Sequence, residues 1–159
     1  METITLRPIT DENREAVLAL SVREDQPFVA SNKVSLRQAD ETNAEYPGVA
    51  RPFAIYADDR LVGFCMVAVN PEEEDEDDRY YLWRFMIDKR YQGKGYGREA
   101  MKLILDFIRS GPCRQSEYAW LCYDPENMAA RKLYASFGFE EVAEAYSAED
   151  DEILAVLKL

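Results

Sequence analysis

The sequence predicts an α/β (α+β) fold in which helices flank a mixed β-sheet. Segments with the two-residue alternation of strands are interspersed with segments of helical period, and the strands are the more numerous elements. The chain has 159 residues, enough to bury a substantial core, and it shows no internal repeat or linker-like stretch. We therefore expect one domain over residues 1–159.

The first half of the chain contains signals for three strands and two helices. Thr10 precedes an acidic turn, which is typical of a helix start. Ser35 and Gln38 have the spacing of a capping box, and Pro47-Gly48 ends the helix that they begin. The predicted strands cover residues 3–9, 53–57 and 61–69, and the predicted helices cover residues 10–20 and 35–46. The third strand is almost entirely apolar, so we expect it near the centre of the sheet.

The second half is predicted to contain four strands and two helices. Gly111-Pro112 stops the first of these helices, and Asp124-Pro125 supplies an N-cap followed by a proline in the first turn of the second. Gly138 is predicted to cap its C-terminus. The strands cover residues 80–87, 117–123, 139–143 and 152–157, and the helices cover residues 95–109 and 125–137.

The charge of the chain restricts its partners. The formal net charge is −12, which would repel the phosphates of a nucleic acid and attract a small polycation. The acidic run at residues 72–78 contributes much of this charge. Such a run is typical of a solvated loop, but it could also bind a cationic substrate directly.

The residue types also exclude several kinds of chemistry. The absence of histidine removes the usual general base and the commonest transition-metal ligand, so we expect no metal site and no Ser-His or Cys-His nucleophile. Cys65, Cys113 and Cys122 lack metal-ligand spacing and are predicted to be buried free thiols. No signal peptide or membrane-spanning run is evident, and we expect a cytoplasmic protein without a membrane partner.

The most specific motif is a glycine-rich loop between a predicted strand and a predicted helix. Gly93, Gly95 and Gly97 alternate, so successive backbone N–H groups can face an anion at the positive end of the helix dipole. The sequence therefore predicts a pyrophosphate cradle, with Lys94 and Arg98 at its rim. The spacing differs from that of a P-loop and from that of a Rossmann dinucleotide site.

At this loop the chain resembles the GNAT (GCN5-related) N-acetyltransferase superfamily. The residues from Arg84 to Gly97 are similar to the strand and Gln/Arg-x-x-Gly-x-Gly loop of that family. A second signature follows as Asn127, Tyr134 and Phe-Gly-Phe at residues 137–139. Within the family, the loop region and the preceding acidic stretch look most like bacterial spermine/spermidine acetyltransferases.

The resemblance implies a fold, a reaction and partners. The expected fold is a mostly antiparallel central sheet of six to seven strands with about four helices. The implied co-substrate is acetyl-CoA, no metal is implied, and the acceptor would be a primary amine of a polyamine. Homodimers are common in the family. Two alternatives remain: acetylation of an aminoglycoside, another small amine or a protein amine, or a sensor that binds acetyl-CoA without turnover.

The resemblance also implies roles for individual residues. The implied cofactor-binding residues are Phe85, Met86, Ile87, Gln92, Gly93, Lys94, Gly95, Tyr96, Gly97, Arg98, Asn127, Arg131 and Tyr134. Backbone amides of the first three would hold the pantetheine arm and the reaction's oxyanion, which we expect near Met86. Tyr134 is the candidate general acid, although its apolar helix face would also suit a core aromatic. Glu24, Asp25 and Tyr46 are candidate acceptor-site residues.

The general base is not assigned by the sequence. An amine with a pKa near 10.4 is neutral only about once in 10³ molecules at pH 7, and only the neutral form attacks. Polyamine-type relatives often carry an acidic residue on the strand that here contains Leu82, Trp83 and Arg84.

Overall fold

The structure is a computed structural model that describes residues 2–27, 29–69, 80–113, 115–142 and 152–159. The acidic run at 72–78 lies outside the described residues. The strands are β1 Ile4–Pro8, β2 Ala50–Ala57, β3 Arg60–Ala68, β4 Tyr80–Ile87, β5 Tyr118–Tyr123, β6 Glu140–Val142 and β7 Ile153–Lys158, and the helices are α1 Arg14–Ala19, α2 Asn32–Glu45, α3 Tyr96–Arg109 and α4 Met128–Ser136.

The described strands form a seven-stranded sheet in the order β1-β2-β3-β4-β5-β7-β6. Every neighbouring pair is antiparallel except β4 and β5, which run parallel. Helix α3 lies between β4 and β5 in the chain, as a parallel crossover requires. The predicted mixed, mostly antiparallel α/β fold is therefore confirmed.

Both faces of the sheet are covered, because β3 carries apolar side chains on each side. Val67 of β3 faces the cluster that contains the buried side chains of α3, such as Ile104. Phe64, also of β3, faces the opposite cluster, which contains Val17 of α1 and Leu36 of α2. This two-sided burial explains the nearly continuous apolar sequence of β3 and confirms its interior position.

Three predicted helix starts are wrong. Helix α1 begins at Arg14 and not at Thr10, because residues 11–13 form a turn first. Local hydrogen bonds explain the other two. Helix α2 begins at Asn32, because the Ser31 hydroxyl accepts the Val34 N–H at 3.3 Å. Helix α4 begins at Met128, capped by Asn127, whose side chain accepts the Ala130 N–H at 3.2 Å. Its predicted cap, Asp124, instead accepts the Glu126 N–H at 2.9 Å, in an Asx-type turn before the helix.

The three cysteines are thiols outside any disulfide, and only Cys65 is buried. Burial raises the pKa of the Cys65 thiol, so this thiol is poorly reactive. Cys113 is exposed and Cys122 is partly exposed, so their predicted burial is wrong. None of the helices in the described ranges combines the length and apolar character needed to cross a bilayer.

Candidate active site

Strands β4 and β5 separate partway along their length. Their ladder pairs Tyr80 with Ala119 and ends at the pair Leu82 and Leu121. Strand β4 continues to Ile87 along β3, but on the other side no residue of β5 is paired with residues 83–87. The sheet therefore contains an opening, bounded by unpaired backbone groups of β4, at its only parallel pair among the described strands.

The hydrogen-bond alternation of β4 decides which backbone groups face the opening. The Asp88 N–H donates to the Val62 carbonyl at 2.8 Å. Because bonded and non-bonded pairs alternate along an antiparallel ladder, Met86 also directs its N–H toward β3. Phe85 and Ile87 direct theirs toward the opening. The sequence suggested an oxyanion near Met86, and the register makes its neighbours the residues with available N–H groups.

A β-bulge in β4 determines which side of the sheet the Trp83 and Arg84 side chains face. Arg84 is opposite Met66 while Leu82 is opposite Val67, so Trp83 is an extra residue in β4. As a result, consecutive side chains point toward α2: Trp83 packs against the cluster on that side, and Arg84 donates to the Gln38 side chain at 2.8 Å. Without the bulge, Trp83 and Arg84 would face opposite sides of the sheet.

The Arg84 guanidinium has hydrogen-bond partners for only some of its N–H groups. Its Nη1 donates to the Trp83 carbonyl at 2.9 Å, and its buried Nε has no hydrogen-bond partner among the described residues. Among the described residues, no carboxylate forms an ion pair with it within 4.0 Å. Burial lowers the pKa of Arg84, while electrostatic interactions with Tyr81 and Glu152 oppose that change. The guanidinium therefore keeps its charge with little direct neutralisation.

The glycine-rich loop has the backbone geometry of an anion cradle. Gly93 has a φ of 77° and Gly95 a φ of 86°, both in the left-handed region that glycine adopts without strain. Gly95 is also the N-cap of α3, so the loop lies at the positive end of a 14-residue helix. A Cβ at Gly93 or Gly95 would have no heavy atom within 4 Å, which leaves both backbones open to a ligand.

A cleft of about 340 Å³ extends from this loop to the opening in the sheet. It is bounded by the loop, the end of β4, α4 and the connection between α1 and α2. Its lining residues are Val22, Arg23, Gln26, Val29, Phe85, Met86, Ile87, Tyr91, Gln92, Gly93, Gly95, Tyr96, Gly97, Asn127, Ala129, Ala130, Leu133 and Tyr134. We call it the cofactor cleft.

A second cleft of about 160 Å³ lies on the α2 side of the same opening. It is more polar than the first and contains the charged side chains of Arg84, Asp124 and Glu152. We call it the acceptor cleft. The residues that line both clefts are Val29, Phe85, Met86, Asn127 and Tyr134. The two clefts therefore meet where β4 and β5 separate.

Tyr134 occupies this meeting point. Its ring packs 5.6 Å from the ring of Tyr123 and 6.0 Å from that of Phe139, so the side chain is part of the core as well as of both clefts. No hydrogen bond to its hydroxyl exists within the described part of the chain. Burial raises the pKa of Tyr134 above its ordinary value, so the phenol stays protonated at neutral pH.

Most of the predicted cofactor-binding residues lie at the cofactor cleft, but three do not. Lys94 is exposed in the loop. Arg98 donates to the Ser136 hydroxyl at 2.9 Å. Arg131 forms an ion pair with Glu141 at 3.0 Å, although a residue four positions after Asn127 and three before Tyr134 lies on the same helix face as both. A long arginine side chain can reach a neighbouring strand, which helical spacing alone does not indicate.

None of the three predicted acceptor residues lines either cleft. Glu24 and Asp25 are exposed, and Asp25 pairs with Arg23 at 3.2 Å. Tyr46 caps the far end of α2 and is 53% exposed. The carboxylates that do line the acceptor cleft, Asp124 and Glu152, were missed by the sequence interpretation. The signal that the sequence offered was the position of Asp124 directly after a predicted strand.

The described residues contain no group of three or more potential ligands that could hold a metal ion.

The sequence matches the profile of the acetyltransferase (GNAT) family over residues 11–139. It is 34% identical over 141 residues to the spermine/spermidine N(1)-acetyltransferase of Bacillus subtilis (strain 168), covering 87% of this chain and 88% of that protein.

Solved structures have the same fold. An acetyltransferase from Thermus thermophilus superposes with a TM-score of 0.70 at 20% identity, covering 100% of both chains. RimL, a ribosomal alpha-N-protein acetyltransferase in complex with coenzyme A, superposes with a TM-score of 0.68 at 15% identity, covering 99% of this chain and 94% of that one.

Proposed function

Because the chain belongs to the acetyltransferase (GNAT) family and is an acetyl-CoA-dependent N-acetyltransferase, we propose that its acceptor is a primary amine of a spermine- or spermidine-type polyamine. The observation that carries this proposal is the meeting of the two clefts at Tyr134, which gives one reaction point with an opening on each side of the sheet. The identity to the Bacillus enzyme and the net charge of −12 support a polycation.

The chemistry of the cofactor cleft suits acetyl-CoA. The left-handed glycines and the N-terminus of α3 suit a pyrophosphate, and the free N–H groups of Phe85 and Ile87 suit the amides of a pantetheine arm. Phe85 lines both clefts, whereas Ile87 lines only the cofactor cleft. We therefore assign the Phe85 N–H to the oxyanion that forms at the thioester carbonyl, where one such donor contributes about 3 kcal/mol.

The acceptor amine would attack directly, without a covalent enzyme intermediate. Attack of the neutral amine forms the C–N bond, and collapse of the tetrahedral species breaks the C–S bond. Tyr134 would donate its proton to the departing sulfur. Asp124 and Glu152 would bind ammonium groups of the acceptor, and the proton of the attacking amine would leave to water or to one of these carboxylates.

Comparison of acceptors at two salt concentrations tests the polyamine proposal. We expect spermine and spermidine to give far higher kcat/KM than a monoamine, because Coulomb attraction grows with the charge product. Raising ionic strength from about 0.02 M to about 0.3 M shortens the Debye length from roughly 20 Å to below about 8 Å. The kcat/KM for spermine should fall severalfold, and that for butylamine should change little.

Neutralising Glu73, Glu74, Asp75 and Glu76 to Gln or Asn provides the matched variant. If these carboxylates help to collect the polycation, both kcat/KM for spermine and its salt dependence should decrease while kcat stays the same. Turnover of aminoglycosides or peptide amines with no turnover of polyamines would overturn the proposal.

A second acceptor class, an amine that also carries a carboxylate, is favoured by one observation. Arg84 lines the acceptor cleft without an ion-pair partner among the described carboxylates, so it could bind an anionic group of the substrate. A charge-assisted hydrogen bond contributes about 1.5–3 kcal/mol, or roughly 10- to 150-fold in kcat/KM.

Arg84→Gln separates the two classes. If Arg84 binds a carboxylate, the variant should lose about 10-fold or more in kcat/KM for β-alanine or 4-aminobutyrate and almost nothing for propylamine or butylamine. Equal losses for the charged and uncharged amines would assign Arg84 a purely structural role. If wild-type enzyme uses spermidine and ignores both amino acids, this second class is excluded.

A further inference from the structure

The connection between α1 and α2 forms a wall of both clefts. Val22, Arg23 and Gln26 line the cofactor cleft, Ala30 lines the acceptor cleft, and Val29 lines both. This connection has no regular secondary structure over its described residues 20–27 and 29–31. Its position must therefore be fixed by contacts with other parts of the molecule.

The first contact joins this wall to the end of β4. Asp88 is 1% exposed, and its Oδ2 accepts the Ser21 N–H at 3.0 Å. The Lys89 N–H donates back to the Ser21 carbonyl at 2.8 Å. The other oxygen of Asp88 accepts the backbone N–H and the Nε of Arg90, at 3.0 and 2.8 Å.

Asp88 is ionised, as its role as a hydrogen-bond acceptor requires. Burial opposes its ionisation, but the hydrogen bonds from Arg90 and Ser21 outweigh that effect and lower the pKa of Asp88. The carboxylate is therefore ionised at neutral pH, and it holds the wall and the start of the cofactor loop at the same time.

The second contact joins the wall to the cofactor loop itself. The Gln92 Nε2 donates to the Gln26 Oε1 at 3.0 Å and to the Ile87 carbonyl at 2.9 Å. Gln26 Oε1 also accepts the Arg23 N–H at 3.2 Å, so this side chain organises its own segment as well. Gln92 is the first residue of the glycine-rich motif, so the bond reaches the pyrophosphate cradle directly.

We propose that Gln26 and Asp88 are positioning residues that couple the cofactor cleft to the acceptor cleft through the α1–α2 connection. Binding of CoA at the glycine-rich loop restricts the positions of Gln92 and the end of β4. These residues in turn hold the α1–α2 connection, which forms a wall of the acceptor cleft. The coupling is a property of the two binding equilibria, so each ligand must tighten the other by the same factor. We expect a factor of about 5 or more in the wild-type protein.

Two substitutions break these contacts, and one serves as a control. Gln26→Met keeps the length of the side chain and removes the acceptor of the Gln92 bond. Ser21→Pro removes the N–H that binds Asp88, and the extended conformation of Leu20, with a ψ of 141°, is compatible with a following proline. Ser21→Ala keeps this N–H and changes only an exposed side chain.

The coupling is measured as the ratio of CoA dissociation constants without and with saturating spermidine, by calorimetry. We expect a ratio of about 5 or more for the wild type and Ser21→Ala, and below about 2 for Gln26→Met and Ser21→Pro. Wild-type coupling in Gln26→Met, or equal loss in Ser21→Ala, would overturn the proposal. The ratio separates coupling from any change in CoA affinity alone.

This calorimetric test rests on the proposed polyamine acceptor, so a second measurement uses CoA alone. CoA should change the amide chemical shifts of Ala30 and Asn32, which line only the acceptor cleft, in the wild type and in Ser21→Ala. These changes should be much smaller in Gln26→Met and Ser21→Pro. If spermidine is neither bound nor acetylated, the polyamine assignment fails, and persistence of the shifts in the two variants would independently overturn the coupling.

Discussion

Replacement of Tyr134 by Phe is expected to lower kcat by roughly 100-fold or more, which is within the range for a single general acid. The hydroxyl has no hydrogen-bond partner in the described part of the chain, so its loss leaves no other polar group unsatisfied. The ring contacts with Tyr123 and Phe139 remain, and folding should be preserved. Steady-state kinetics together with CoA binding by calorimetry measure the effect.

The pH profile provides a second readout for Tyr134. Because burial raises its pKa above about 10, the phenol remains a proton donor throughout the range in which the acceptor amine becomes neutral. The wild-type kcat should therefore rise with pH and show no alkaline decline below about pH 10. Tyr118→Phe, at an exposed position outside both clefts, is the matched control. Near-normal turnover in Tyr134→Phe would leave this residue with only its role in the core.

Gly95→Val is expected to raise the KM for acetyl-CoA by at least tenfold, equivalent to about 1.4 kcal/mol. The φ of 86° at Gly95 is strained for a branched residue, and the loop must change its conformation to relieve that strain. An added Cβ would meet no described protein atom within 4 Å, so the substituent would point into the space above the cradle. Kinetics at saturating acceptor and direct CoA titration measure the loss.

Gly48→Val distinguishes loss of the cradle from general destabilisation. Gly48 has a φ of 84°, and its added Cβ would meet only the Arg51 side chain, at 3.9 Å. It lies in the turn before β2, away from both clefts. The two variants should lose similar thermal stability, but only Gly95→Val should lose affinity for acetyl-CoA. Unchanged affinity in folded Gly95→Val would remove the cradle assignment.

The sequence predicted the fold well because its elements are locally encoded. Apolar runs, alternation and glycine or proline stops identified the strands and helices that form the sheet. The glycine-rich loop was also predictable, since the φ values of 77° and 86° at Gly93 and Gly95 are conformations that glycine adopts without strain. The helix starts were less predictable, because Ser31 and Ser35 are equally good caps by type and only the chain path selects one.

The acceptor side of the site could not be derived in the same way. The side of the sheet that Trp83 and Arg84 face depends on a β-bulge, which the alternation of the sequence does not reveal. Asp124 and Glu152 are 28 residues apart in the sequence numbering and share a cleft only because β5 pairs with β7. Likewise, the contact between Gln26 and Gln92 spans 66 residues. Each of these features is set by tertiary structure.

The short parallel ladder between β4 and β5 divides the sheet into two antiparallel halves joined along a narrow seam. The half that ends in β4 supplies the Phe85 N–H, and the half that begins with β5 leads into α4 and supplies Tyr134. The two groups assigned to the oxyanion and to the sulfur therefore belong to different halves. A slight rotation about the seam would change their separation while leaving each half intact. The three residue pairs of the ladder and the core cluster shared by both halves therefore limit how well both groups can be aligned at once.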